Sequence, residues 1–147
     1  MAYMQLTAKA DYAIRALIEI GAAEGAVKGD EIAEAQDIPR RFLENTLKEL
    51  RAVRIVGAER GPSGGYRLHK PAEEITLAEI IDVVDGPLLT VRSHLPEEME
   101  YEGRAQPLRP VWLALRRNMR SVLEAVTLAD LIEDRLPDEL LALAEED

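Results

Sequence analysis

The stretch that decides the fold reads DIPRRFLENTLKELRAVRIVGAERGPSGGYRLHK and covers residues 37–70. Pro39 stands where proline favours the first turn of a helix. The leucines that follow have helical spacing and predict one buried face: Leu43, Leu47 and Leu50. Two short segments that suit β-strands, residues 55–56 and 66–68, then flank a glycine-rich segment at 61–65. This arrangement predicts a helix followed at once by a β-hairpin.

Two further helices are predicted before this stretch. Thr7 can cap the first, whose apolar residues keep helical spacing until the break at Glu24 and Gly25. A short second helix fits residues 30–36. Helix, short helix, turn, helix and hairpin, in this order, are the layout of a winged helix-turn-helix. In such a module the second helix of the pair enters the major groove of DNA.

The C-terminal half is predicted to contain one long helix and several short ones. Thr76 and Glu79 can form a capping box for a fourth helix, which stops at Gly86. A fifth helix is predicted over residues 108–126, and its long apolar stripe favours a second copy of the chain as partner. The predicted dimer interface comprises Leu108, Val111, Trp112, Leu115, Met119, Val122, Leu123 and Val126.

These elements predict a mainly α-helical fold with a small β-hairpin wing. We expect a winged helix-turn-helix DNA-binding domain at residues 1–86. Residues 87–107 have no sustained period and are rich in acidic side chains, so we expect an exposed acidic loop there. A dimerisation helix with short C-terminal helices is expected at 108–147. The 147 residues are enough for one hydrophobic core.

Charge is unevenly distributed along the chain. The formal net charge is −10, which by itself argues against a nucleic-acid partner. Residues 38–70, however, contain eight Lys/Arg and three Asp/Glu, a local charge of +5, whereas residues 71–147 carry −11. Such asymmetry is typical of a nucleic-acid surface. From charge alone, a solvated helix face remains the alternative.

Composition excludes several classes of protein. The chain has no cysteine, so it has no disulfide, no thiolate nucleophile and no thiolate-held metal or iron–sulfur cluster. No apolar run is long enough to span a membrane, and the first residues do not resemble a secretory signal. We therefore expect a cytoplasmic protein. No serine–histidine pair, phosphate loop or metal-ligand spacing is present, so we expect no catalytic site, no metal site and no enzyme.

The basic residues of the predicted third helix have the chemistry of base recognition. Arg40 and Arg41 lie in its first turn, and arginine reads guanine through two hydrogen bonds, while Asn45 can read adenine. Lys48, farther along, suits a phosphate contact. Arg60, in the wing, can enter a minor groove or hold a phosphate. Each of these cations taken alone could equally be an ordinary surface charge.

Several motifs resemble one known family. The motifs are MQLTAKADYA at 4–13, FLE at 42–44, RGPSGGY at 60–66, IT at 75–76, VDG at 84–86 and VTLADL at 126–131. In this order they are similar to the Rrf2-type bacterial regulators, winged-helix repressors and activators of the IscR, NsrR, RirA and CymR kind. The resemblance covers about residues 4–135, and the wing motif is its most specific part.

The resemblance implies a homodimer on a two-fold symmetric, pseudo-palindromic operator of double-stranded DNA. In the recognition helix it assigns DNA contacts to Arg41, Phe42, Asn45 and Lys48. Wing contacts go to Arg60, Ser63, Gly64 and Gly65, and Thr7, Lys9 and Tyr12 are placed near the phosphates or in support of them. Phe42 either touches a thymine methyl or packs inside. A repressor is the expected role, and the alternative is a winged-helix module that binds a partner protein.

The chain departs from the cluster-binding members of that family. They carry three cysteines, and usually a histidine, before and at the start of the long helix, whereas residues 90–112 contain no cysteine. His94 and nearby carboxylates remain, but they are poor substitutes for thiolates. We therefore expect no cofactor, and a small molecule, a partner protein or no effector as the signal. Trp112 either packs at the dimer seam or lines an effector pocket. Arg116, Arg117 and Arg120 pair with the acidic half, face water or receive an anionic effector.

Overall fold

The computed structural model describes residues 5–145, so the ends of the first and last predicted domains, 1–4 and 146–147, lie outside the described residues. Within this range, seven α-helices and one antiparallel hairpin confirm a mainly helical fold with a small wing. In chain order they are α1 (Ala8–Ala22), α2 (Gly29–Gln36), α3 (Arg40–Ala52), β1 (Val56–Glu59), β2 (Gly65–Leu68), α4 (Leu77–Val84), α5 (Leu108–Ala125), α6 (Leu128–Ile132) and α7 (Asp138–Ala144).

Helices α1, α2 and α3 enclose the main core. The helix-turn-helix bend follows from two adjacent residues, because Asp37 ends α2 in the left-handed conformation (φ 51°) and Pro39 caps α3. The predicted leucines of α3 are buried against α1. Fully buried side chains of this core include Ala13, Leu17, Ile32, Leu43, Leu47 and Leu50.

The wing is fastened to the core by backbone hydrogen bonds. Strands β1 and β2 pair with Val56 opposite Leu68 and Glu59 opposite Gly65. The backbone N–H of Val27, between α1 and α2, donates to the carbonyl of Tyr66 at 2.9 Å, and the N–H of Tyr66 donates back at 2.7 Å. The hairpin therefore has a fixed orientation relative to the helices.

The chain after α5 returns to the N-terminal core. The N–H of Leu77 donates to the carbonyl of Val126 at 3.0 Å, and the N–H of Leu128 donates to the carbonyl of Ile75 at 2.8 Å. Leu128 is fully buried, and α6 packs on α1. The short helix α6, which the sequence groups with the dimerisation helix, thus shares the core of the helix-turn-helix.

Two helix starts differ in their capping. At α6, Thr127 and Asp130 form a reciprocal capping box, with hydrogen bonds of 3.1 and 2.9 Å. At α4, Thr76 accepts from the N–H of Glu79 as predicted, but the Glu79 carboxylate does not return the bond. It accepts instead from Nζ of Lys70, at 2.7 and 2.9 Å, because an ammonium is a stronger partner than a backbone amide.

The segment at 87–107 is not simply an exposed loop, and this expectation is corrected. It contains two turns of 3-10 helix, at Pro96–Glu98 and Gly103–Ala105. Leu89, Pro96 and Met99 are buried, because part of the segment packs along α5. The acidic part of the prediction is retained, since its carboxylates remain exposed: Glu97, Glu98, Glu100 and Glu102. Over residues 5–145, none of the helices is both long and apolar enough to cross a membrane.

Candidate nucleic-acid interface

Helix α3 presents a polar face to solvent on the side opposite its buried leucines. Arg41, Asn45 and Lys48 are spaced by four and three residues, so they lie along one side of the helix. All three side chains are exposed. Within residues 5–145, neither Arg41 nor Lys48 forms an ion pair. This face therefore offers two free cations and a neutral amide.

Arg40 is arranged differently, although the sequence groups it with Arg41. Its guanidinium contacts the carboxylate of Asp30 on α2, and its Nε donates to Oε1 of Glu44 at 3.1 Å. A Cβ added to the buried Gly29 would lie 3.0 Å from Cζ of Arg40, so the guanidinium sits directly on the α2 backbone. Arg40 thus joins α2 to α3, and its Nε and Nη1 donate to carboxylates.

Phe42 lies at the surface and not in the core. Its side chain is 53% exposed, and its ring centroid is 6.1 Å from that of Tyr12 on α1, with the planes tilted by 56°. Cζ of Arg15 lies 5.1 Å from the same Tyr12 centroid, within cation–π range. Of the two alternatives for Phe42, packing inside is therefore the one that the structure contradicts.

The wing places Arg60 and Ser63 at its tip, and both side chains are exposed. The N–H of Gly64 donates to the carbonyl of Gly61 at 3.0 Å, which closes a turn over residues 61–64. Within residues 5–145, Arg60 forms no ion pair, whereas Arg67 on β2 pairs with Glu59 at 2.9 Å. The tip of the wing therefore carries an uncompensated positive charge.

Two glycines of the wing are required by its geometry. A Cβ on Gly64 would lie 2.2 Å from the carbonyl oxygen of Glu59, and a Cβ on Gly65 would lie 2.4 Å from that of Val27. Gly65 also has a φ of +145°, which favours glycine. These positions therefore shape the hairpin and seat it on the core, whether or not they also approach DNA.

The start of α1 is tied to two other helices. The Thr7 hydroxyl caps α1 by accepting from the N–H of Ala10 at 3.1 Å and donates to Oδ1 of Asp85 at 2.6 Å. Nζ of Lys9 pairs with Oε1 of Glu49 on α3 at 2.7 Å. Thr7 and Lys9 thus hold α1 in place, and the charge of Lys9 is compensated within the chain.

The long helix α5 has two different sides. One side faces the 95–105 segment, where Nε1 of Trp112 donates to the hydroxyl of Tyr101 at 2.9 Å and Nε of Arg109 donates to the carbonyl of Met99 at 3.0 Å. The other side has nothing packed on it within the described residues. Its exposed apolar side chains are Leu108 (40%), Val111 (53%) and Val122 (39%), with the partly exposed Leu115 beside them and the partly exposed Met119 at the edge toward α4.

Three members of the predicted dimer stripe lie off this free side. Trp112 is engaged by Tyr101, and Leu123 packs against the core of its own chain. Val126 is only 2% exposed and follows the last residue of α5. Because its side chain is already buried, Val126 has almost no surface left for a second copy. The helical period brings residues 112 and 123 to the same side of α5, away from the free side, and Val126 follows the helix with an extended backbone.

Arg120 shows how strongly the middle of α5 is tied to α4. Its Nη1 and Nη2 donate to the two oxygens of Asp82 at 3.1 and 3.3 Å, and its Nε donates to Glu124 at 3.1 Å. The hydrogen bonds with Asp82, the largest effect, raise the pKa of Arg120 above its ordinary value. Arg116 pairs likewise with Glu97 at 2.9 Å.

Two exposed cations next to the interface were not singled out as site residues from the sequence. Arg51 lies one turn beyond Lys48 on α3, and Arg54 follows the helix in the left-handed conformation (φ 62°). Neither forms an ion pair within the described part of the chain. Both belong to the +5 window at 38–70, so charge density was the signal that could have pointed to them.

One known protein family matches most of the chain. The Rrf2 family, described as "Iron-dependent Transcriptional regulator", matches residues 6–134. This chain belongs to the Rrf2 family. Among relatives of this Rrf2 protein, the provisionally named HTH-type transcriptional regulator Rv1287 of Mycobacterium tuberculosis (strain ATCC 25618 / H37Rv) is 44% identical over 145 residues, which are 97% of this chain and 90% of that one.

Other similar proteins are also named as regulators. The HTH-type transcriptional regulator IscR of Aliivibrio salmonicida (strain LFI1238) is 32% identical over 89% of this Rrf2 chain and 79% of its own. The structure of CymR, the global cysteine regulator of B. subtilis, superposes with a TM-score of 0.75 at 28% identity, covering 88% of this chain and 96% of that one. These relatives are transcriptional regulators and not enzymes, which supports a DNA-binding regulator.

Iron dependence, as the family description states it, does not fit the donors of this member. Without cysteine, the chain cannot hold an iron–sulfur cluster through thiolates. His94 has Glu98 at 3.5 Å, but no group of three or more His, Asp or Glu that could hold a metal occurs among the described residues. Near the start of α5, where the cluster-binding members are expected to have ligands, this chain has Gln106 and Arg109. Arg109 donates its hydrogen bonds to backbone carbonyls.

Proposed function

We propose that this Rrf2 protein is a sequence-specific transcriptional repressor that acts as a homodimer on a pseudo-palindromic operator, without an iron–sulfur cluster. The observation that carries the proposal is the set of uncompensated cations on α3 and at the tip of the wing. Arg41 and Lys48 on α3, with Arg60 at the wing tip, form no ion pair within residues 5–145 in a chain that carries a net charge of −10. Free cations on an acidic protein favour an anionic partner.

The roles follow from where each side chain lies on α3. Arg41 and Asn45, near the start of the exposed face, read bases in the major groove. Lys48, one turn farther, neutralises a phosphate. Phe42, half-exposed beside Tyr12, contacts a thymine methyl. Arg40 positions α3 against α2, since its guanidinium is already held by carboxylates on both helices.

The wing and the start of α1 support this contact. Arg60 and Ser63 contact the backbone or the minor groove, while Gly64 and Gly65 give the hairpin its shape. Lys9 is paired with Glu49, so we assign it, with Thr7, to orienting α1 and not to a phosphate contact.

Dimerisation through α5 supplies the two-fold symmetry. Leu108, Val111, Leu115 and Val122 form an apolar stripe that the single chain leaves uncovered or only partly covered, and Met119 lies at its edge toward α4. Burial of such a stripe against its own copy is the usual solution for a long amphipathic helix. Two recognition helices related by a two-fold axis require half-sites one helical turn apart or a multiple of it. A dimer fixed across such a site excludes other proteins from the same grooves, which supports repression.

Selection of genomic fragments by the purified full-length protein tests this proposal. We expect the enriched fragments to share a motif with two-fold symmetry, and affinity for it to fall steeply as salt is raised. Fragments without a common motif, together with recovery of a stoichiometric protein partner in pull-down, would favour a protein-interaction module instead. Stoichiometric iron and sulfide in the purified protein would contradict the absence of a cluster.

A further inference from the structure

A cavity of about 480 Å³ lies between α4, the start of the 87–107 segment and α5. Its volume is in the range of small-molecule sites. Most of its wall is apolar and is contributed by all three parts of the chain. The apolar lining consists of Ile81, Leu88, Leu89, Leu95, Met119 and Leu123. A ligand that fills this cavity must therefore have a sizeable apolar body.

The charged residues of the lining give the cavity a preference for anions. They are Asp82, Arg116 and Arg120, which sum to +1. Each of the three guanidinium nitrogens of Arg120 already donates a hydrogen bond, Nη1 and Nη2 to Asp82 and Nε to Glu124. The charges of Arg120 and Asp82 therefore largely cancel, and the excess positive charge of the lining belongs to Arg116.

Arg116 retains donors that a ligand can use. Only its Nη1 donates within the described residues, to Oε1 of Glu97 at 2.9 Å. A guanidinium has five N–H donors in a planar fork that matches a carboxylate. The side chain of Arg116 is 29% exposed, so it is accessible from the cavity side and still partly shielded from water, where a charge-assisted hydrogen bond is stronger.

We propose that this cavity binds a small amphipathic carboxylate, with its apolar body against the leucines and its head group on the free donors of Arg116. The proposed binding site is argued from the geometry and charge of the cavity alone. Only the regulatory role of the ligand, as the effector of DNA binding, rests on the proposed function.

A ligand bound to Arg116 can affect the 95–105 segment, which packs on α5, through a shared side chain. Glu97 accepts from Arg116 through its side chain and from Arg109 Nη2 through its backbone carbonyl at 2.9 Å. A ligand carboxylate competes with the Glu97 carboxylate for the same guanidinium and loosens this attachment. Tyr101, in the same 95–105 segment, accepts a hydrogen bond from Trp112 on α5. The fluorescence of Trp112, the single tryptophan of the chain, therefore reports a loosening of the segment.

Calorimetric titration of the full-length protein with octanoate, octan-1-ol and octylammonium tests the site without DNA. We expect saturable binding of octanoate with a change in tryptophan fluorescence, and at least about tenfold weaker binding of the alcohol and the amine, because a charge-assisted hydrogen bond is lost. Arg116→Gln should weaken octanoate binding by a similar factor. Arg117→Gln, the neighbouring exposed arginine that does not line the cavity, should bind as the wild type does.

A second variant fills the cavity instead of removing the charge. Leu88→Phe adds volume in the lining and should weaken octanoate binding while circular dichroism and the unfolding midpoint stay near those of the wild type. Absence of saturable octanoate binding, equal binding of octan-1-ol, or unaltered binding by both Arg116→Gln and Leu88→Phe would overturn the proposal. DNA affinity is measured separately without ligand, so a failure here and a failure of the proposed function are distinguishable.

Discussion

The hydroxyl of Thr7 donates to Oδ1 of Asp85 at 2.6 Å, and the hydroxyl oxygen of Thr7 accepts from the backbone N–H of Ala10 at 3.1 Å. One side chain thus caps α1 and fastens it to the end of α4. The contact joins residues 78 positions apart in the sequence, and α1 packs on both α3 and α4. Thr7 therefore helps to fix the frame in which α3 is presented.

Replacement of this hydroxyl should destabilise the fold measurably. Thr7→Val removes the cap and the hydroxyl donor to Oδ1 of Asp85, and leaves only the longer bond of 3.4 Å from the backbone N–H of residue 7 to Oδ2. We expect the free energy of unfolding to fall by about 1–2 kcal/mol. Thr7→Ser keeps the hydroxyl and serves as the matched control, with a smaller change. Urea denaturation followed by circular dichroism measures both. A Thr7→Val protein that unfolds at the wild-type urea concentration would show that the cap contributes little.

Arg40 and Arg41 are adjacent in the sequence and are expected to behave differently. Arg40→Ala breaks the pairs with Asp30 and Glu44, so it should weaken binding to all DNA sequences by a similar factor. Its cost in stability should be at most about 1 kcal/mol, because the pairs are partly exposed. Selection on randomised half-sites measures base preference directly. A preference altered at one base position by Arg40→Ala would mean that Arg40 reads a base after all.

The tip of the wing should tolerate no side chain at Gly64. Gly64→Ala places a Cβ 2.2 Å from the carbonyl of Glu59, so the hairpin must shift, and we expect lower stability together with at least about tenfold weaker DNA binding. Gly25→Ala is the matched control, since a Cβ there meets nothing within 4 Å. Thermal unfolding measures the stability of both variants, and DNA titration measures their affinity for DNA. Equal behaviour of the two variants would contradict the steric argument.

The free side of α5 should be the dimer interface. Val111→Glu puts a charge into the proposed apolar contact, and burying an unpaired charge is costly. We expect the dimer to dissociate at least about 100-fold more readily, which corresponds to about 2.7 kcal/mol. Arg117→Glu changes charge on an exposed position away from the stripe and should leave the dimer intact. Light scattering over a range of protein concentrations gives both dissociation constants, and an unaffected Val111→Glu dimer would place the interface elsewhere.

The sequence was most informative where local chemistry decides the structure. The caps at Thr7 and Thr127, the proline at the start of α3 and the glycine turn at 61–64 are short-range features, and each is observed. The spacing of the α3 leucines predicted which side of the recognition helix is buried, and therefore which side is free. That was sufficient to identify the polar face with Asn45 and Lys48.

Contacts between distant residues were beyond such reasoning. Nothing local in the sequence shows that Arg40 meets Asp30, that Lys9 meets Glu49, or that Glu79 pairs with Lys70 and leaves its capping box incomplete. The burial of Met99 in an acidic segment without helical period was missed for the same reason, since the surface that covers it belongs to a different element.

The affinity of Arg41→Ala for the selected operator, measured by fluorescence anisotropy over several salt concentrations, tests the central claim most directly. We expect wild-type affinity to fall steeply with salt and the variant to bind at least about tenfold more weakly, because a two-pronged contact with guanine is worth about 1–3 kcal/mol. Arg117 is an exposed residue of α5 away from the apolar stripe, and Arg117→Ala should bind the operator as the wild type does. Wild-type affinity in Arg41→Ala, or a wild-type response that is flat with salt, would contradict the assignment of α3 as the DNA-reading helix.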